Sequence, residues 1–314
     1  MAQKDSNWER ELLTNLATDY MRDQRRQRRW KIAYRLLILV FILISLFTFS
    51  PRRSMDDALR SKPHTALIDI EGPIFSKSPA NADDIAASLK EAYKDKGTTG
   101  ILLRINSPGG SPVQANFIYN ELRRQKKAHP SIPIYAVCTD MCASAAYYIA
   151  AGSDKIFADP SSLVGSIGVI YNGFGFVDTL HKLGIERRML TAGVNKGFLD
   201  PFSPMDDQQK MKLLSMLDSV HQEFINKVKA GRGKRLHDNP DLFSGLFWTG
   251  QQAKSMGLVD DLMSPGQVAR DIIGAEKTID YTSGGSFFEK MAKRFGAEVG
   301  VSLGTLLGLG SPLT

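Results

Sequence analysis

Ser144 stands in the run Met141-Cys-Ala-Ser-Ala-Ala-Tyr-Tyr148, where small residues separate an apolar, strand-like stretch at 132–137 from a helix-like one. A serine on a tight strand-to-helix turn is presented as a nucleophile. Free backbone N–H groups and the positive dipole end at the helix start favour the negative charge that develops when a hydroxyl attacks a carbonyl. About thirty-five residues upstream, Asn106-Ser-Pro-Gly-Gly-Ser111 forms a second turn able to aim a backbone N–H at the same place.

Such a nucleophile needs a base. His64 falls in linker-like sequence, His129 ends a polar helix, His181 and His221 lie within helix-like runs, and His237 sits in a charged loop. Each reads as a surface or capping residue. The chain has no Gly-x-Ser-x-Gly elbow, no His-Glu-x-x-His and no Cys/His spacing suited to zinc; no metal or cofactor is expected. Cys138 and Cys142 form no disulfide framework and read as packing residues beside the serine turn. Lysine is the remaining option. A lysine base must be neutral at working pH, so it needs desolvation or a neighbouring cation. Most lysines here sit in charged stretches, whereas Lys196, in Thr191-Ala-Gly-Val-Asn-Lys-Gly-Phe198, has Arg188 and Asp200 as its nearest charges. Its surroundings admit a catalytic amine and an ordinary solvated one alike.

The elements that must position these groups alternate. Strands are predicted at Ala66–Ile70, Gly100–Ile105, Ile132–Val137, Lys155–Ala158, Ser166–Tyr171 and Glu186–Leu190, with another from Gly257. Helices are predicted at Asn81–Lys94, Val113–Lys127, Ser144–Ala151, Gly173–Leu183, Asp206–Ala230 and Gln251–Met256. That order implies an α/β domain with parallel pairing over residues 65–280, followed by an amphipathic or flexible tail at 281–314.

The N-terminal region is different. Of the net charge of +7, residues 1–35 supply +4, with nine basic residues against five acidic ones. The bulk is therefore near neutral, which gives no reason to expect a nucleic-acid partner. Residues 1–31 read as a basic cytoplasmic tail, 32–50 as an apolar signal anchor and 51–64 as a linker. Leu36 to Phe49 carries no charge, and Leu46-Phe-Thr-Phe-Ser-Pro51 offers no small-x-small cleavage site. Seven basic residues from Arg22 to Arg35, against four from Pro51 to His64, keep the N-terminus cytoplasmic and place the α/β domain outside.

Four stretches together resemble the signal peptide peptidase A family (protease IV type) in its short, membrane-anchored form. They are Leu103-Arg-Ile-Asn-Ser-Pro-Gly-Gly-Ser111; Met141–Tyr148 with Asp154-Lys-Ile-Phe-Ala158; Val164-Gly-Ser-Ile-Gly-Val-Ile170; and Thr249-Gly-Gln-Gln-Ala-Lys-Ser-Met-Gly-Leu-Val-Asp260. The resemblance implies Ser144 as nucleophile and Lys196, fifty-two residues later, as general base. It further implies that Ser166 orients the lysine and that the N–H groups of Gly110 and Ala145 form the oxyanion hole. Cys142 and Ala145-Ala146 depart from the Ala and Gly-Gly that relatives often carry, yet they keep the turn small. The resemblance also implies a spiral crotonase/Clp-protease-like fold, peptide substrates such as cleaved signal peptides, a bacterial inner-membrane location, and a ring-shaped homo-oligomer, with Ser144 and Lys196 meeting either within one chain or across a subunit boundary. Two alternatives stay open at this level: an acyl-CoA enzyme of the crotonase fold, and a membrane scaffold without chemistry.

Overall fold

A computed structural model of the chain describes residues 26–42 and 62–283. The chain divides into two compact units, before and after residues 59/60. In the first, residues 26–42 form one helix, α1, which carries the basic cluster into the apolar run with every residue exposed. The expected anchor at 32–50 runs past residue 42 and so lies partly outside the described residues, as does the tail beyond Ser283. Among the described residues no helix is long and apolar enough to cross a membrane.

The second unit is a mixed α/β fold built on a parallel sheet. In chain order it comprises β1 (His64–Glu71), α2 (Ala82–Lys94), β2 (Thr98–Ser107), α3 (Pro112–Ala128), β3 (Ile134–Ala143), α4 (Ala145–Ala150), β4 (Lys155–Ala158), β5 (Leu163–Gly165), α5 (Val177–Lys182), α6 (Asp207–Arg232), β6 (Phe247–Thr249), α7 (Gly250–Ser255), β7 (Asp261–Leu262), α8 (Pro265–Gln267) and β8 (Thr278–Asp280). The strands run β6-β5-β3-β2-β1-β8, with β4 also on β3 and β7 on β4; the β5–β6 pair alone is antiparallel.

Alternation sorts the strand residues. Ile101, Leu103 and Ile105 of β2 join the main core under α2, α3 and α4, while Leu102 turns to a smaller cluster with Val137, Phe157 and Val268 on the opposite face. Burial on both faces is what a parallel sheet requires. The helices begin where the chain supplies caps. Asn81 accepts from the Asp84 N–H, Ser111 from Gln114 with Pro112 at the first helical position, and Thr249 with Gln252 makes a full capping box.

Two features prepare the functional end. First, β3 changes partner along its length: residues 135–138 pair with β4, whereas Met141, Cys142 and Ala143 pair with β5. The strand therefore peels from one neighbour to the other just before Ser144. Second, α6 closes over α4 so tightly that a Cβ at Gly231 would strike the Ala151 carbonyl.

Three strand expectations need correction. The strand placed at 166–171 lies at Leu163–Gly165, no strand forms at 186–190, and the one expected from Gly257 reduces to Asp261–Leu262. Residues 186–190 are exposed and pair with no strand among the described residues. His64 is also corrected: it opens β1 and is fully buried, with its ring nitrogens facing the Lys62 carbonyl (2.9 Å) and the Tyr281 hydroxyl (3.0 Å).

Asp260 fastens β4 to the end of α6. Its Oδ2 accepts from the Ile156 N–H (2.7 Å) and from Arg232 Nη1 (2.6 Å), and Arg235 approaches Oδ1 at 3.1 Å. Burial works to raise its pKa, but hydrogen bonds from Arg232 and the Ile156 N–H, with the charges of both arginines, outweigh it and hold the pKa below the ordinary value. A carboxylate depressed in this way contributes stability that is complete above its unfolded pKa of about 4 and is lost as pH falls through the folded value. Asp260→Asn leaves the Arg232 guanidinium, 1% exposed, without its counter-charge. The expected loss at pH 7 is about 3–5 kcal/mol. Urea denaturation checks it, and the gap from wild type should narrow once pH falls below the folded pKa of Asp260.

Candidate active site

Ser144 links β3 to α4 with φ 53° and ψ −122°. A non-glycine residue held there costs on the order of 1–3 kcal/mol, and such strain persists only where the surroundings over-determine it. Here they do. The Ser144 N–H donates to the Gly165 carbonyl (2.8 Å), and its own carbonyl accepts from the Tyr148 N–H (3.0 Å). Gly109 packs against the same turn, since a Cβ there would lie 2.7 Å from the Ala143 oxygen and 2.8 Å from Ser144 Cβ. The side chain makes no capping hydrogen bond to α4, although a serine at that position ordinarily would. Its hydroxyl is left for the cavity.

Gly110 takes φ 151° and forms a parallel bridge with Ile74. A Cβ there would strike the Ile74 carbonyl, so the position requires glycine. The bridge uses the Gly109 carbonyl and the Ser111 N–H, at 2.9 and 2.8 Å, and leaves the Gly110 N–H out. The Ala145 N–H, at the first position of α4, likewise has no carbonyl partner among the described residues. Ser107, fully buried, accepts the Gly109 N–H at 3.1 Å and shapes the turn.

Pairing of β3 with β5 sets Ala143 opposite Gly165, so Ser144 and Ser166 follow from neighbouring strand ends. Ser166 also has a positive φ, 50°. Its N–H donates to the Leu246 carbonyl (2.8 Å), and its carbonyl accepts the Gly168 N–H (2.9 Å). Gly110, Ser144, Ala145 and Ser166 all line one cavity of about 970 Å³. Phe75, Val169, Ile170, Val220 and Phe224 make much of its wall apolar. Tyr148 also lines it and donates to Asn116 Oδ1 (3.1 Å); burial first, then Glu223 and Tyr119, push its phenol far up, so it remains a neutral donor.

Lys196 is not among the lining residues. It sits exposed in a succession of turns (Lys196 N–H to the Gly193 carbonyl, 3.1 Å), and one chain does not bring it to Ser144. Around it runs an arm, residues 168–206, with little secondary structure beyond α5 and with apolar side chains facing outward. Leu190 is 100% exposed, Val194 99% and Phe174 76%.

Sequence reasoning missed His221. It reads as one polar residue in a helix, yet it projects from α6 into the Ser144 cavity and bonds the Ile167 carbonyl at 2.9 Å. No local signal marks it, because the contact spans fifty-four residues of chain. Cys138 and Cys142 are free and buried. Among the described residues no cluster of His, Cys, Asp and Glu could hold a metal ion.

Comparison with known proteins adds a lineage. Residues 126–274 match the model of peptidase family S49, and residues 62–164 match that of Clp protease. The chain is 48% identical over 179 residues, 56% of its length, to a Brucella melitensis protein named Na(+)/H(+) antiporter NhaA. It is 34% identical over 61% of its length to an Enterococcus faecium protein named as a candidate signal peptide peptidase SppA. It is 31% identical over 63% of its length to slr0021 of Synechocystis sp., named as a candidate protease. The matches span 24%, 55% and 69% of those three proteins.

Proposed function

The chain belongs to peptidase family S49, and on that premise we propose that it is a membrane-anchored serine endopeptidase with Ser144 as nucleophile and Lys196 as general base. The observation that carries this reading is the Ser144 turn itself. A strained serine, its hydroxyl spared from capping, faces a cavity that Gly110 and Ala145 also line, and the N–H groups of both have no backbone partner among the described residues.

Neutral Lys196 takes the proton from Ser144 Oγ as the Oγ–carbon bond forms at a peptide carbonyl. The oxyanion rests on the Gly110 and Ala145 N–H groups, and the protonated lysine then gives its proton to the departing amine as the carbon–nitrogen bond breaks. Water attacks the acyl-enzyme in the second half, with the same lysine as base. The Ser166 hydroxyl, which has no partner among the described residues, holds the lysine amine in line. Because Lys196 lies on an exposed arm, we assign it to the cavity of a neighbouring subunit in a ring-shaped homo-oligomer. The outward apolar side chains of that arm support this, since a partner would cover them.

The apolar cavity wall suits unfolded apolar peptides, cleaved signal peptides foremost. The basic-then-apolar N-terminus suits a bacterial inner-membrane anchor with the peptidase domain outside the cytoplasm. The family match over residues 62–164 supports the spiral Clp-like arrangement of the α/β unit.

An active-site serine reagent such as a fluorophosphonate tests the reading. Peptide mapping by mass spectrometry should find a single adduct, on Ser144. An unmodified Ser144 in protein that cleaves peptides would overturn it.

A further inference from the structure

We infer that His221 is a positioning residue for Ser166, holding the serine turn from helix α6; this rests on the role proposed above for Ser166. The turn is compressed and strained. Ser166 has φ 50°, and the Gly168 N–H folds back to the Ser166 carbonyl at 2.9 Å. Two bonds tie it to its surroundings: the Ser166 N–H to Leu246 O (2.8 Å) and His221 Nε2 to Ile167 O (2.9 Å).

Ile167 is fully buried, and Gly168 lies so near Gly245 that a Cβ on it would stand 2.9 Å from the Gly245 Cα. The turn is therefore gripped between the strand β6 side and helix α6. Among the described residues His221 supplies the one side-chain bond to its backbone carbonyls. A carbonyl only accepts, so Nε2 carries the proton of this bond. His221 is thus a donor to the turn and need not act as a base.

Without that bond the Ile167 carbonyl, in a buried segment, loses its donor, and the strained φ at Ser166 loses one of its external ties. The Ser166 hydroxyl would then wander from the line between Lys196 and Ser144. Ground-state binding of a peptide along the rest of the cavity would be little changed. The expected signature is in kcat rather than KM.

The experiment uses the full chain and a quenched-fluorescent peptide with apolar residues before the scissile bond. His221→Leu and His221→Asn both remove the donor, the second because its amide is too short to reach. His221→Gln places an N–H where Nε2 stands. Leu and Asn are expected to lower kcat about tenfold, as loss of roughly 1.4 kcal/mol of transition-state stabilisation would, with KM within about twofold of wild type. Gln should recover most of that loss. In a Ser166→Ala background His221→Leu should cost nothing further, because residues acting through one another are not additive.

If His221→Leu slows both backgrounds equally, or if Gln fails where it folds as stably as wild type, the assignment of His221 is overturned while that of Ser166 stands. If Ser166→Ala itself leaves kcat unchanged, both fall. Melting temperatures recorded for each variant separate these outcomes from simple unfolding.

Discussion

Ser144→Ala is expected to abolish turnover without unfolding the protein. The residue's structural duties run through its backbone: its N–H meets Gly165, and its carbonyl begins the first turn of α4. Its hydroxyl makes no hydrogen bond among the described residues, so removing it leaves no buried group unpaired. Alanine occupies the same strained φ at similar cost. Stability should therefore stay within about 1 kcal/mol of wild type. Activity should fall on the order of a million-fold in kcat, the scale on which loss of a nucleophilic serine is felt. A residue of catalysis should survive, since the Gly110 and Ala145 N–H groups can still stabilise attack by water. Turnover of a fluorogenic peptide, measured beside thermal denaturation, checks both halves. Wild-type-like turnover with an alanine at 144 would remove the serine from the mechanism.

The second expectation concerns Lys196→Ala. By itself the variant should be as silent as Ser144→Ala, for a serine without its base is a poor nucleophile. The informative result comes from mixing the two. When each cavity draws its serine from one subunit and its lysine from the next, a head-to-tail contact repeats around the assembly. In an equal, freely exchanging mixture about one cavity in four then pairs an intact serine with an intact lysine. Recovery of about a quarter of wild-type activity is expected after co-expression, and none after simple addition if subunits do not exchange. A dyad completed within one chain predicts no recovery under either regime. The exposed position of Lys196, flanked by nearly solvent-bare Leu190 and Val194, is why the first outcome is expected.

The Ser144 turn was legible in the sequence because several local signals agree there. An apolar run, small residues and a helix-forming stretch follow one another within twenty residues, and each has a local physical cause. The same holds for β1, β2, α2, α3 and α6, whose apolar periodicity and caps are written in consecutive residues. What escaped depends on contacts far apart in the chain. β6 and β8 are three residues each, too short to show alternation, and exist because β5 and β1 offer them an edge. Residues 186–190 were read as a strand, but among the described residues no strand pairs with them; Asp200 and Phe202 meet Arg187 through side chains instead. His221 and His64 looked like surface residues because a histidine's surroundings are set by what folds onto it. Lys196 could be singled out by its uncharged neighbourhood, yet it is exposed and absent from the cavity that Ser144 lines.

The helix α4 has a consequence for how such a molecule fails. All six of its residues are buried, and it is wedged among α3, β2, β3 and α6, with Gly231 drawn against its end. The column that carries the Ser144 hydroxyl is thus the central post of the core. A proteolytic enzyme that frays at its rim can become a danger to its surroundings if the blade outlives the sheath. With Ser144 as the nucleophile proposed above, blade and post are one piece: any loosening deep enough to widen access is expected to relax the Ser144 backbone and to disarm the molecule before it unfolds.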